Sequence, residues 1–121
     1  MNYFDLYADE AGESHFRDVD VVLQERSFAP PAEAIEISDT SPATGILFLR
    51  LRAGWNEPIH PTPVAQTLIC LRGCARVTAS DGATRDIGPG AVWRMADTHG
   101  KGHHTQVISA EDFECVIAQH G

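Results

Sequence analysis

A chain of 121 residues fits one domain around a single hydrophobic core, and 43% hydrophobic with 21% charged residues is an ordinary globular balance. Seventeen acidic against nine basic residues give a net charge of −8, which repels phosphate backbones and argues against nucleic acid as a partner. No apolar run approaches the length of a membrane span, and the acidic opening lacks the basic-then-apolar order of a secretory signal, so a cytoplasmic setting is expected.

Taken in chain order, the sequence is a series of short strands broken by turn signals. Residues 1–18 are polar and read as an N-terminal arm, packed through Tyr3, Phe4, Leu6 and Phe16. Residues 19–121 read as the single domain. Residues 19–28 alternate imperfectly and stop at Pro30-Pro31, because proline cannot donate to a sheet ladder. Residues 34–38 are a short candidate strand. Residues 46–52 place Leu47, Leu49 and Leu51 on one face, the better core stripe, and Phe48, Arg50 and Arg52 on the other. Residues 67–71 form a continuous apolar run, and residues 74–80 alternate as a half-buried strand. Asp81-Gly82 signals a two-residue hairpin turn of the primed type, which needs positive φ. Residues 84–87 return, Gly88-Pro89-Gly90 turns sharply, and residues 91–95, 105–109 and 113–119 complete the strands. No segment has a helical period of useful length. Strands at this spacing in one small domain argue for a sandwich or barrel.

The three cysteines, Cys70, Cys74 and Cys115, are an odd count, which fits reduced thiols. Cys70 and Cys74 have no second Cys or His pair at zinc-ribbon spacing, so all three read as small apolar fillers. There is no phosphate-binding glycine loop, no nucleophile elbow and no Cys-x-x-Cys, and Ser14-His15 is only a dipeptide.

One stretch carries a stronger pattern. Gly54 is followed by five residues, His60, one residue, Thr62, three residues, Gln66, six residues and Gly73. This spacing resembles the first motif of the cupin superfamily, with Thr62 in the place of a second His and Gln66 in the place of a Glu. The resemblance covers roughly residues 44–119. Asp81-Gly82 falls in the inter-motif hairpin, and Gly88-Pro89-Gly90 matches the family's Pro-Gly-Asp turn apart from Ala91. In the looser second motif, Thr98 takes the Pro place, Gly100 follows, His103 takes the place of the third histidine and Val107 the Asn place. The run of residues 97–103, with Pro61 and Gln66, also resembles a group of small, mostly uncharacterised bacterial cupins.

The resemblance implies an all-β fold, a small jelly-roll-like cupin β-barrel of two antiparallel sheets with one interior pocket. It implies that His60, Gln66 and His103 converge there as candidate metal ligands for zinc, iron, manganese or nickel. Thr62 is a poor ligand, and a neutral amide at Gln66 removes a charge that would offset a cation, so the metal site reads as degenerate. His99 lies in a glycine-rich loop and could complete the set. His104 is next to His103 and on a strand points to the opposite face. Trp55 and Trp93 line the pocket or fill the core. Asp97 braces its loop or offers a pocket carboxylate. Lys101 is either an exposed loop lysine or a charge that holds an anion. Arg50 and Arg52 belong on an outer face.

Two functions follow. The first is a small-molecule-binding protein whose ligand is polar or anionic. The second is a metal-dependent dioxygenase, isomerase or lyase in which Lys101 and His103 serve acid–base chemistry. A homodimer, paired through an edge strand or through residues 1–28, is also expected.

Overall fold

The structure, a computed structural model, describes residues 1–121 and is built of eleven strands and no helix. The strands are β1 (Asn2–Ala8), β2 (Ser14–Asp20), β3 (Gln24–Arg26), β4 (Ile35–Ile37), β5 (Gly45–Leu51) and β6 (Gln66–Arg72). They continue as β7 (Ala75–Ala79), β8 (Thr84–Ile87), β9 (Val92–Ala96), β10 (His103–Val107) and β11 (Phe113–Gln119). A six-stranded sheet has the order β2-β1-β9-β6-β11-β5, a three-stranded sheet the order β10-β7-β8, and β3 and β4 form a separate hairpin. The two main sheets form a jelly-roll-like sandwich that does not close into a continuous barrel. The larger sheet also departs from the expected all-antiparallel arrangement, because β1 runs parallel to β9.

Alternation along the strands explains the core. β7 buries Ala75, Val77 and Ala79 and turns Arg76 outward. β11 buries Phe113, Cys115 and Ile117 on one face. Leu47, Leu49 and Leu51 of β5 pack against this core, as their spacing predicts, while Phe48 faces solvent. Arg50 ion-pairs with Glu114 on the outer face, and Arg52 is exposed there too. The cysteines are free, with Cys70 and Cys115 buried. Burial raises the Cys115 thiol to about 12, which keeps it a non-nucleophilic filler.

Three further sequence expectations change. Residues 1–18 are not an arm: β1 is hydrogen-bonded on both edges, to β2 and to β9, and Leu6 is fully buried. The alternation of Phe4 and Leu6 toward the core draws the segment into the sheet and leaves β1 no free edge for a second copy. The strand expected over residues 19–28 divides, since β2 ends at Asp20 and β3 covers three residues. Val22 and Phe28 remain exposed, because no second apolar face lies over them. The Asp81-Gly82 turn is not of the primed type. Only Gly82 has positive φ, and Gly82 N–H donates to the Ala79 carbonyl at 3.0 Å. This is a type I turn closed by a left-handed glycine, the three-residue hairpin loop.

Candidate metal and ligand site

Residues 55–60 carry the first site residues along the free edge of β10. Val107 N–H donates to the Trp55 carbonyl at 2.8 Å, and Glu57 N–H to the Thr105 carbonyl at 3.3 Å. His60 and His103 then exchange two backbone hydrogen bonds of 3.1 and 3.0 Å. Gly102 makes that pairing possible. Its φ is +78°, and a Cβ there would lie 2.1 Å from the His60 carbonyl carbon. Only glycine permits both the turn and the approach. The outcome is two imidazoles side by side, with ring centroids 5.5 Å apart.

Each ring is fixed at Nδ1. His60 Nδ1 lies 2.8 Å from the Pro58 carbonyl oxygen. A carbonyl only accepts, so Nδ1 donates and the lone pair is on Nε2. His103 Nδ1 lies 2.6 Å from Asp97 Oδ2, and both side chains are almost wholly buried. Thr62 donates its hydroxyl to Asp97 Oδ1 at 2.7 Å. Thr62, Asp97 and His103 are thus a relay that leaves Nε2 of His103 without a protein partner. A histidine whose second nitrogen is oriented by a carboxylate or carbonyl is the usual arrangement behind a metal ligand.

A carboxylate completes the cluster. Glu57, His60 and His103 each offer a ligand atom, all within 4.8 Å of one another. Glu57 Oε1 is 3.7 Å from His60 Nε2, and Trp55 Nε1–H donates to Glu57 Oε2 at 3.2 Å. The sequence reading missed Glu57. An extended chain turns residues three apart to opposite faces, and Pro58 between them is the one sign that this rule breaks here.

The cluster opens into a cavity of about 150 Å³. Its walls include Leu49, Leu51, Leu68, Met95, Phe113 and Ile117, and its polar end adds Thr62, Gln66 and Thr105. Trp93 lines it too, edge-on to the His103 ring at 5.3 Å between centroids.

Of the residues expected in the pocket, His60, Gln66, Trp93 and His103 meet there. Gln66 donates its amide N–H to the Met95 sulfur at 3.4 Å. Asp97 is fully buried behind His103 and is a brace, not a free pocket carboxylate. Trp55 is 42% exposed and touches the site only through Glu57. His99 is exposed in the loop before β10 and is not among the cavity-lining residues. Lys101 points outward and pairs with Glu13, which raises its pKa and removes it from any acid–base role in the cavity. His104 faces away from the cavity, as adjacency to His103 requires, and bonds Asn56.

The loop carrying His103 is held by the turn between β1 and β2. Lys101 N–H donates to the Gly12 carbonyl at 2.9 Å, and the buried Ser14 hydroxyl donates to the Gly102 carbonyl at 2.7 Å. Beside it, His15 lies against Tyr7 and bridges Asp9 and Asp81.

No protein-family model matches the chain, and no curated protein matches its sequence. Solved structures do. The cupin domain of Cnp3 from Schizosaccharomyces pombe superposes with a TM-score of 0.53 at 16% identity, covering 99% of this chain and 82% of that one. A conserved protein of unknown function, SPY1581 from Streptococcus pyogenes, gives 0.49 at 20% identity, over 69% of this chain and 68% of that one. Protein NMB1881 from Neisseria meningitidis gives 0.48 at 16% identity, over 63% and 72%. The chain has a cupin-like, all-β jelly-roll fold; at these identities the likeness shows the fold and nothing finer.

The residues at the polar end of the cavity fit a divalent metal ion in part. His60, His103 and Glu57 supply two uncommitted imidazole nitrogens and a charge. Thr62 does not fit, because its hydroxyl is committed to Asp97. A divalent ion could be held by the three donors, with the remaining positions facing the cavity. No helix is long and apolar enough to cross a membrane.

Proposed function

We propose that this protein binds a small molecule in its interior cavity beside a divalent metal held by Glu57, His60 and His103. The observation that carries the reading is the state of the two rings. Both Nδ1 atoms are taken by fixed acceptors, so both Nε2 atoms remain for an ion next to a carboxylate. Two imidazoles and one carboxylate suit zinc and non-haem iron equally.

Metal-dependent catalysis, as a dioxygenase, isomerase or lyase, is the second reading, and the same donor count favours it. Three protein ligands leave open positions, as catalytic centres do and closed structural sites do not. A bound ion would supply Lewis acidity at the polar end of the cavity. The chain's own part is to hold the imidazoles through Pro58 and Asp97 and to keep bulk water from the apolar end.

Calorimetric titration of the purified, chelator-stripped protein with zinc tests the proposal. One equivalent should bind, with affinity lowered at least about 100-fold in His60→Ala and in His103→Ala, since each removes one of three ligands. Zinc binding that survives both substitutions, or no binding by the intact protein, would overturn it.

A further inference from the structure

The cavity has one chemical peculiarity. Trp93 lines it and is 2% exposed, yet its indole N–H, unlike the Nε2 of His103 that opens into the cavity, has neither a hydrogen-bond partner nor exposed surface. A buried donor left unpaired costs on the order of 1–3 kcal/mol, and native structures seldom leave one without reason. The nitrogen is itself closed off from the cavity, so the indole offers a bound molecule ring carbon and not its N–H.

Charge narrows the class. The lining contains no Lys and no Arg, and Glu57 is its only carboxylate. Without a metal, an anion would meet only negative charge there. A divalent ion beside the Glu57 carboxylate leaves one positive charge. Asp97, behind His103, adds further negative field and opposes a second anionic group. The remaining wall is hydrocarbon, and an apolar space of about 150 Å³ takes a body the size of benzene.

We infer that the ligand is a compact apolar molecule with one oxygen-bearing head and at most one negative charge, its head placed at the metal end. This rests on the metal reading proposed above. It narrows the polar or anionic ligand that the sequence suggests: anionic at one atom group, apolar elsewhere.

Benzoate, phthalate and acetate are the probes, titrated into zinc-loaded and zinc-free protein by calorimetry and by Trp93 fluorescence in a Trp55→Phe background. Benzoate should bind the zinc-loaded protein at least about ten-fold more tightly than the zinc-free protein. Phthalate, with a second carboxylate, and acetate, without the apolar body, should each bind at least about ten-fold more weakly than benzoate. Phthalate or acetate binding as tightly as benzoate would overturn the inference, as would benzoate binding that is indifferent to zinc. Zinc uptake with no benzoate binding defeats this inference alone; absence of zinc uptake defeats the metal reading with it.

Discussion

His15 and His103 both bond an aspartate through Nδ1, and they end in different roles. His15 Nδ1 meets Asp81 at 2.8 Å and its Nε2 meets Asp9 at 2.7 Å, so both nitrogens are spent on tying one turn to another. His103 meets Asp97 through Nδ1 and has nothing on Nε2. The first histidine is partly exposed and between two carboxylates; the second is 1% exposed and opens into an apolar cavity. The lesson is that a histidine–aspartate pair says little until the second nitrogen is followed. With both nitrogens occupied it is a strut, and with one open it is a ligand or a base in waiting.

The strongest way to break that contrast is at Gly102. Gly102→Ala puts a methyl group into the His60 backbone at a positive φ, which should cost on the order of 3 kcal/mol and separate the two imidazoles. Thermal melting should show a drop of many degrees, and any folded remainder should fail to take up zinc in calorimetry. Full zinc affinity in this variant would show that the close approach is not what assembles the donors.

Asp97→Asn acts on one histidine only. It keeps the shape but weakens the acceptor that orients His103, so zinc affinity should fall about 10- to 100-fold with the fold intact by circular dichroism. An unchanged zinc constant would mean that His103 needs no brace.

The smallest effect sharpens the other side of the comparison. The Asp9 hydrogen bond, and then that of Asp81, holds His15 protonated above its ordinary value of 6.5. Its contribution to stability is therefore complete below 6.5 and fades as pH rises through the raised value. The same contact holds Asp9 below its ordinary 3.8, so that contribution is lost as pH falls further. The melting-temperature difference between the native protein and His15→Gln should thus be widest between the ordinary aspartate and histidine values, 3.8 and 6.5, and narrow as pH rises through the raised His15 value. Zinc affinity should be the same in both. A difference that is flat with pH would mean that the strut is not an ionic one.

Much of the architecture was legible before the fold was known. Strands β5 to β11 follow from alternation and from glycine- and proline-marked turns, within a residue or two of their ends. The β5 leucines show why this works: a strand with one buried face writes that face into every second residue. β1 was not legible as part of the sheet, because its partner β9 is far away in sequence and parallel, and no local signal names a distant partner. The site was half legible. His60 and His103 were placed together by the resemblance to the cupin motifs, and backbone pairing is what brings them together. Thr62 read as a lost ligand, and its use as a brace for Asp97 depends on a side-chain geometry that spacing does not encode. Glu57 depends on a bend at Pro58, and Lys101 on a glutamate in a different turn, Glu13.

The pairing of β1 with β9 places Phe4 opposite Trp93 and Leu6 opposite Met95, across most of the chain. The turn after β1 then touches the loop before His103. Such long-range closures slow folding, because a large loop must be ordered before the contact rewards it. On a ribosome β1 emerges long before β9 and has to wait, with Leu6 uncovered, until that strand follows. The imidazole pair needs residue 103, later still. Any ion held at these imidazoles would load only after β10 has been made, and a translation product that stops before it would hold an apolar strand in search of a partner and no paired imidazoles.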